Sequence, residues 1–83
     1  MRLTVVHRQG CDLCDEMVLE LESLARRAPL PPVSVVDVDS NAELVRRYGV
    51  NVPVLLLDDS VVCRHRLDEP ELLRLLRSGG SPS

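Results

Sequence analysis

Two cysteines separated by two residues are the strongest candidates for chemistry in this 83-residue sequence: Cys11-Asp12-Leu13-Cys14. The pair follows an apolar run, Leu3–Val6, that predicts a strand, and it precedes a segment with helical spacing. Cysteines three positions apart in the first turn of a helix can form a disulfide, and the helix dipole favours a thiolate at the leading cysteine. This context predicts dithiol redox chemistry at Cys11 and Cys14.

A C-x-x-C pair can also be half of a zinc or iron–sulfur site. The missing ligands would have to come from Cys63, His65 or His7, because the sequence has no second C-x-x-C and no closely spaced pair of histidines. We therefore favour the redox interpretation and predict no metal. A third alternative is a binding module whose cysteines are incidental. We interpret Cys63 as a packed strand residue rather than a third catalytic thiol.

Size and composition limit the class of protein. The chain is long enough for one small domain, and its core must be aliphatic, since it contains no Phe or Trp and one Tyr. The net charge is −3, and no basic run is interleaved with aromatic residues, which argues against a nucleic-acid partner. There is no signal-peptide pattern and no apolar stretch long enough for a membrane. We expect a cytoplasmic monomer without a membrane partner.

The apolar patterns predict seven elements in the order β-α-β-α-β-β-α. The predicted strands are 3–7, 33–38, 54–57 and 61–65, and the predicted helices are 14–28, 40–49 and a last one from Asp68 to residue 77. Ser40-x-x-Glu43 has the form of a capping box at the start of the second helix, and Gly49 is suited to its end. We expect one domain over 1–77 and a flexible tail over 78–83.

This order predicts an α/β sandwich of three layers. The first β-α-β unit should be a right-handed crossover between parallel strands, and the last two strands should form a hairpin. The result is a four-stranded mixed sheet with helices on both faces. The C-x-x-C pair then lies at the carboxyl end of the first strand, the edge where open α/β sheets place their chemistry.

The chain resembles the glutaredoxin family, especially its small bacterial glutaredoxin-like members, over nearly all of residues 1–77. The resemblance is carried by Cys11-x-x-Cys14, by Val52-Pro53 before the third strand, and by the order of elements. It implies a thioredoxin-like, glutaredoxin-type fold in which Cys11 is the nucleophile and Cys14 the resolving thiol. It also implies a cis Val52-Pro53 bond that presents the backbone of Val52 to a substrate strand.

Other positions follow the family or depart from it. Arg8 matches a basic residue that the family tends to carry three positions before the first cysteine, and Asp68 fits a position that helps hold the γ-glutamyl group of glutathione. Asp12-Leu13 replaces the usual Pro-Tyr, and His65-Arg66 replaces a Gly-Gly pair that approaches glutathione closely. The resemblance implies protein or small disulfides as substrates and a cellular thiol as reductant. We expect no resident cofactor, and glutathione as co-substrate stays open.

Overall fold

The computed structural model describes residues 1–79 and contains the predicted order of elements. Its bounds are β1 Leu3–His7, α1 Asp12–Ala25, β2 Val33–Asp37, a 3-10 turn Val38–Ser40, α2 Ala42–Tyr48, β3 Val54–Leu57, β4 Ser60–Arg64 and α3 Glu69–Arg77. Most of the tail expected at 78–83 lies outside the described residues. No helix within 1–79 is long and apolar enough to cross a membrane.

The four strands form one mixed sheet in the order β2-β1-β3-β4. Strand β1 is parallel to β2 and antiparallel to β3, and β3 is antiparallel to β4. Strands β1, β2 and β4 therefore end at the same edge of the sheet, where β3 begins. We call this edge, marked by His7, Asp37, Arg64 and Val54, the cysteine edge.

The two faces of the sheet carry separate apolar clusters, which makes the predicted three layers. Helices α1 and α3 cover one face, and α2 covers the other. The larger cluster contains Leu3, Val5, Met17, Leu21, Leu24, Leu55, Leu57, Leu72 and Leu75, and the smaller one contains Val6, Val38, Val54 and Tyr48. Alternate residues of β1 and β3 point to opposite faces, so each strand contributes to both clusters.

Helix α1 begins at Asp12, two residues earlier than predicted. The reason is the residue before it: the Sγ of Cys11 accepts a hydrogen bond from the backbone N–H of Cys14 at 3.1 Å and so caps the helix. Serine, threonine, aspartate and asparagine are the usual residues at this position, so the sequence pattern did not predict that a cysteine caps the helix.

Helix α1 also ends earlier than predicted, at Ala25 rather than Ala28. The backbone N–H groups of Arg27 and Ala28 both donate to the carbonyl of Leu24, each at 2.9 Å, which tightens the final turn. Pro29 disfavours helical geometry at the preceding residue, and the helix stops before it.

The capping box predicted at Ser40 is wrong. Helix α2 is capped by Asn41, whose Oδ1 accepts from the backbone N–H of Glu43 at 2.7 Å and of Leu44 at 3.4 Å. The Oγ of Ser40 instead donates to the carbonyl of Asp37 at 2.6 Å, within the 3-10 turn that follows β2. This turn moves the cap of α2 by one residue, from Ser40 to Asn41.

Two strands, β2 and β4, have bounds that differ from the prediction. Strand β2 ends at Asp37, because Val38 begins the 3-10 turn and is buried under α2. Strand β4 is Ser60–Arg64 rather than 61–65, and a bulge opposite Leu55 and Leu56 lies within it. His65 leaves the strand with a positive φ of 71°.

Candidate active site

Cys11 and Cys14 lie at the cysteine edge and are joined as a disulfide, with their Cα atoms 5.2 Å apart. Gly10 lies in the turn that leads from β1 to the cysteines. Its φ of +76° belongs to the left-handed region that glycine adopts without strain. Cys11 is partly exposed between β1 and α1, whereas Cys14 is 1% exposed inside the first turn. An external molecule can therefore reach the sulfur of Cys11 far more readily than that of Cys14.

Opposing charges surround the sulfur of Cys11. The backbone N–H of Cys14 points at it, and the positive end of the α1 dipole lies behind that bond. Asp12 and Asp15, both exposed in the first turn of α1, add negative charge to the same end of the helix. The N–H donor and the dipole favour a thiolate at Cys11, and the two carboxylates oppose it.

The Val52-Pro53 bond is cis, as predicted. Pro53 is buried, and its carbonyl accepts from the backbone N–H of His65 at 2.7 Å. Val52 is partly exposed, and none of the backbone hydrogen bonds between described residues involves it. Its place before β3 is at the cysteine edge. Pairing of its backbone with a substrate stays a prediction.

Arg8 is bound to two other segments of the chain. Its Nε and Nη2 donate to the two carboxylate oxygens of Asp39 at 3.0 and 3.1 Å, and its Nη1 donates to the carbonyl of Gly49 at 2.8 Å. The guanidinium lowers the pKa of Asp39, and the carboxylate raises the pKa of Arg8. Sequence reasoning placed Arg8 near Cys11 but missed Asp39, because no local pattern joins positions 31 residues apart. Stabilisation of the thiolate by Arg8 stays a prediction.

Asp68 caps α3, as the sequence indicated for the start of this helix. Its Oδ1 accepts from the backbone N–H of Glu71 at 3.2 Å, and its side chain is exposed. A bond to the γ-glutamyl group of glutathione would have to share this carboxylate with the helix end. That binding role stays a prediction.

Cys63 packs on β4 opposite Leu55, against the larger apolar cluster. Burial raises the pKa of its thiol, a hydrogen bond from the backbone of Asp68 opposes this, and the charges of Asp68 and Glu20 add to the rise. This position agrees with its interpretation as a packed strand residue. Within residues 1–79, no three His, Cys, Asp or Glu side chains lie close enough together to hold a metal ion.

Solved structures similar to this chain share its fold. A protein from X. campestris, structural-genomics target XcR50, is 32% identical, with a TM-score of 0.66 over 92% of this chain and 96% of that one. Thioredoxin 1 from Thermosipho africanus is 18% identical, with a TM-score of 0.60 over 98% of this chain and 100% of that one. Thioredoxin from Fasciola hepatica is 25% identical, with a TM-score of 0.54 over 96% and 80% of the two chains.

These neighbours confirm a thioredoxin-like α/β fold. In this chain the fold holds the C-x-x-C pair at disulfide distance. No curated protein matches the sequence. A family model, described as "Glutaredoxin-like domain (DUF836)", matches residues 2–77. The chain therefore belongs to the glutaredoxin-like domain family, as its C-x-x-C pair, its Val52-Pro53 bond and its order of elements indicated.

Proposed function

We propose that the protein is a thiol–disulfide oxidoreductase that uses Cys11 as nucleophile and Cys14 as resolving thiol. One observation carries the proposal: the two sulfurs are at bonding distance at the start of α1, with Cys11 accessible and Cys14 buried. A disulfide that opens and closes needs one sulfur within reach of a substrate and another within reach of the first. This pair meets both requirements.

The reaction follows the general course of thiol–disulfide exchange. The thiolate of Cys11 attacks one sulfur of a substrate disulfide, forms a mixed disulfide with it, and releases the other substrate sulfur as a thiolate that takes a proton from water. The thiolate of Cys14 then attacks the Sγ of Cys11. This step releases the second substrate thiol and leaves the Cys11–Cys14 disulfide. Two electrons have passed from the protein to the substrate, and a cellular thiol reductant restores the dithiol.

Residues around the pair would align the substrate. The backbone N–H and C=O of Val52 can add an extended substrate segment as a short strand, since no described residue occupies them. Arg8 would act on the thiolate through its charge, which Asp39 partly neutralises. Asp68 would contact the γ-glutamyl group if glutathione is the reductant.

The electron donor, the cytoplasmic location and the monomeric state are predictions of the sequence. Glutathione with its reductase, and thioredoxin reductase, are the two donor systems to compare in an insulin-reduction assay. A rate with glutathione that falls in an Asp68→Ala variant, while the rate with dithiothreitol is unchanged, would support glutathione as the donor.

Single-cysteine variants test the mechanism. Cys14→Ser should accumulate mixed disulfides through Cys11, because the resolving attack is lost, and Cys11→Ser should abolish exchange. Cys63→Ser is the matched control and should reduce insulin at close to the wild-type rate. Mass spectrometry after trapping locates each mixed disulfide.

Two results would contradict the proposal. One is a Cys63→Ser variant as inactive as Cys11→Ser, which would require a site of three thiols. The other is stoichiometric metal in protein purified without added metal, together with cysteines that do not form a disulfide with oxidant; this would favour a metal carrier.

A further inference from the structure

A tight turn at His65 lies beside the candidate active site. The backbone N–H of Arg66 donates to the carbonyl of Arg64 at 2.8 Å, and His65 between them has a φ of 71°. This geometry is typical of the γ-turn with a positive central φ, which is rare and strained for a residue other than glycine. The N–H of His65 donates to the carbonyl of Pro53 at 2.7 Å, so the turn is attached to the cis-proline segment.

The turn holds two arginines without carboxylate partners. In the part of the chain that the structure describes, five arginines form ion pairs with Asp or Glu: Arg8, Arg27, Arg46, Arg47 and Arg74. Arg64 and Arg66 form none, although both are exposed. The other arginines without such a pair within residues 1–79 are Arg2, Arg26 and Arg77. Arg2 precedes β1, and Arg26 and Arg77 are at the C-terminal ends of α1 and α3, away from the cysteine edge.

Two carboxylates that follow the turn in sequence have other contacts. Asp68 accepts from the backbone at the start of α3, and Glu69 accepts from Arg27 at 3.2 Å. Asp12 and Asp15 lie on α1, which starts from β1 rather than from β4. The guanidinium groups of Arg64 and Arg66 therefore keep their hydrogen-bond donors for water or for a bound molecule.

The spacing of the sheet relates these arginines to the reacting sulfur. Strand β4 is two strands from β1, and neighbouring strands lie about 4.8 Å apart, so the turn at the end of β4 lies roughly 10 Å across the sheet from the end of β1. An extended peptide rises about 3.3 Å per residue, so a residue three positions from a reacting cysteine lies roughly 10 Å from it, the same distance as between the turn and the end of β1.

We propose that Arg64 and Arg66, held at the cysteine edge by the turn at His65, select disulfide substrates that carry an acidic residue about three positions from the reacting cysteine. Guanidinium groups bind carboxylates through paired, charge-assisted hydrogen bonds. Substrate segments with glutamate or aspartate at this spacing would gain these contacts while their backbone pairs with Val52. The proposal rests on the proposed oxidoreductase function and adds its substrate class.

The test compares matched peptide disulfides in the full chain. Three short peptides differ only at the third position on each side of a central cysteine, which is Glu, Gln or Arg. Each is oxidised to its symmetric disulfide, and the rate of its reduction is measured for wild type, for Arg64→Gln/Arg66→Gln, and for Arg26→Gln/Arg77→Gln as the matched control. A small neutral disulfide measures the chemistry without charge recognition.

We expect wild type to reduce the Glu peptide about three- to tenfold faster than the Gln peptide at low salt, the effect of one or two exposed charge pairs. The Arg peptide should react more slowly than the Gln peptide. Arg64→Gln/Arg66→Gln should remove the preference without changing the rate with the neutral disulfide. The control variant should keep the preference, and added sodium chloride should weaken it.

Equal rates with the Glu and Gln peptides in wild type would overturn the proposal, as would a preference that survives in Arg64→Gln/Arg66→Gln or is lost equally in the control. If the neutral disulfide is reduced and no preference is seen, only the substrate class is wrong. If no disulfide is reduced, the proposed function is wrong. Equilibrium binding of peptides with Ser in place of Cys then still tests the preference of the arginines for acidic peptides.

Discussion

Arg8 connects three segments that are distant in sequence. Through Asp39 it ties the loop after β1 to the turn after β2, and through the carbonyl of Gly49 it ties both to the end of α2. Exposed ion pairs contribute little on average, but a bidentate pair with a further backbone bond fixes the relative positions of its segments. The loop it holds in place leads directly to Cys11.

The pair of Arg8 and Asp39 predicts a dependence of stability on pH. Because the pKa of Asp39 is lowered in the folded chain, its stabilisation is present above the unfolded value of about 3.9 and is lost as the pH falls through the folded value. Asp39→Asn should therefore unfold at lower urea concentration than wild type near neutral pH, and the difference should close in strong acid. Asp59→Asn, at an exposed turn position, is the control and should follow wild type. An undiminished difference in acid would show that the charge of Asp39 is irrelevant.

We predict that the thiol of Cys63 is alkylated slowly. Burial raises its pKa, so less of it is thiolate at a given pH, and the thiolate is the form that reacts. In a Cys11→Ser/Cys14→Ser variant, the alkylation rate of Cys63 should reach half of its maximum at a higher pH than in the same chain unfolded in urea. Iodoacetamide labelling followed by mass spectrometry measures both profiles. Coincident profiles would show that packing on β4 does not affect this thiol.

At the scale of elements, the ends of the helices position the site. Helix α1 presents its first turn to Cys11, and α2 ends at Tyr48 and is capped by Gly49, whose N–H donates to the carbonyl of Val45 at 2.9 Å. From there the chain reaches Val52-Pro53 in a few residues. The position of α2 therefore affects where the cis-proline segment lies.

The cap of α2 predicts different effects for adjacent substitutions. Asn41→Ala removes the acceptor for two backbone N–H groups and should lower the free energy of unfolding by about 1 kcal/mol. Ser40→Ala removes one exposed bond to a backbone carbonyl and should change it by less than about 0.5 kcal/mol. Urea unfolding followed by circular dichroism measures both variants. The reverse order would mean that Ser40 caps the helix in solution.

At the scale of the whole molecule, the larger apolar cluster supports the site. It joins α1, which contains Cys14 and is capped by Cys11, to the strands beneath and to α3 beside it. The chain is short, and domains of this size have a total stability of only about 5–15 kcal/mol, so each large side chain in the cluster matters.

The same substitution at two leucines of α1 tests how strongly the stability depends on the larger apolar cluster. Leu21 is 2% exposed within the cluster, and Leu19 is 63% exposed on the outer face of the helix. Leu21→Ala should lower the free energy of unfolding by about 2–5 kcal/mol, because it removes buried apolar surface and leaves a cavity. Leu19→Ala should change it by no more than about 0.5 kcal/mol. Equal losses in thermal or urea unfolding would contradict the assignment of the helix face.

Local patterns in the sequence determined the order of elements, the hairpin of β3 and β4, and the position of the cysteines at the start of α1. These features follow from the periodicity of apolar residues and from proline and glycine, which act over a few neighbouring residues. The resemblance to the glutaredoxin family supplied the cis Val52-Pro53 bond, which composition and periodicity do not predict.

Only the tertiary structure decided the partner of Arg8, the cap of α2 and the turn at His65. The first and the last of these depend on atoms from distant segments: Asp39 meets Arg8 because β1 and β2 are parallel neighbours, and His65 is held by the carbonyl of Pro53. Ser40 and Asn41 are equally good caps by residue type. Because Ser40 belongs to the 3-10 turn after β2, Asn41 takes the cap position. The contacts of Arg8 and of His65 form when the strands pair, and no short window of sequence contains both partners.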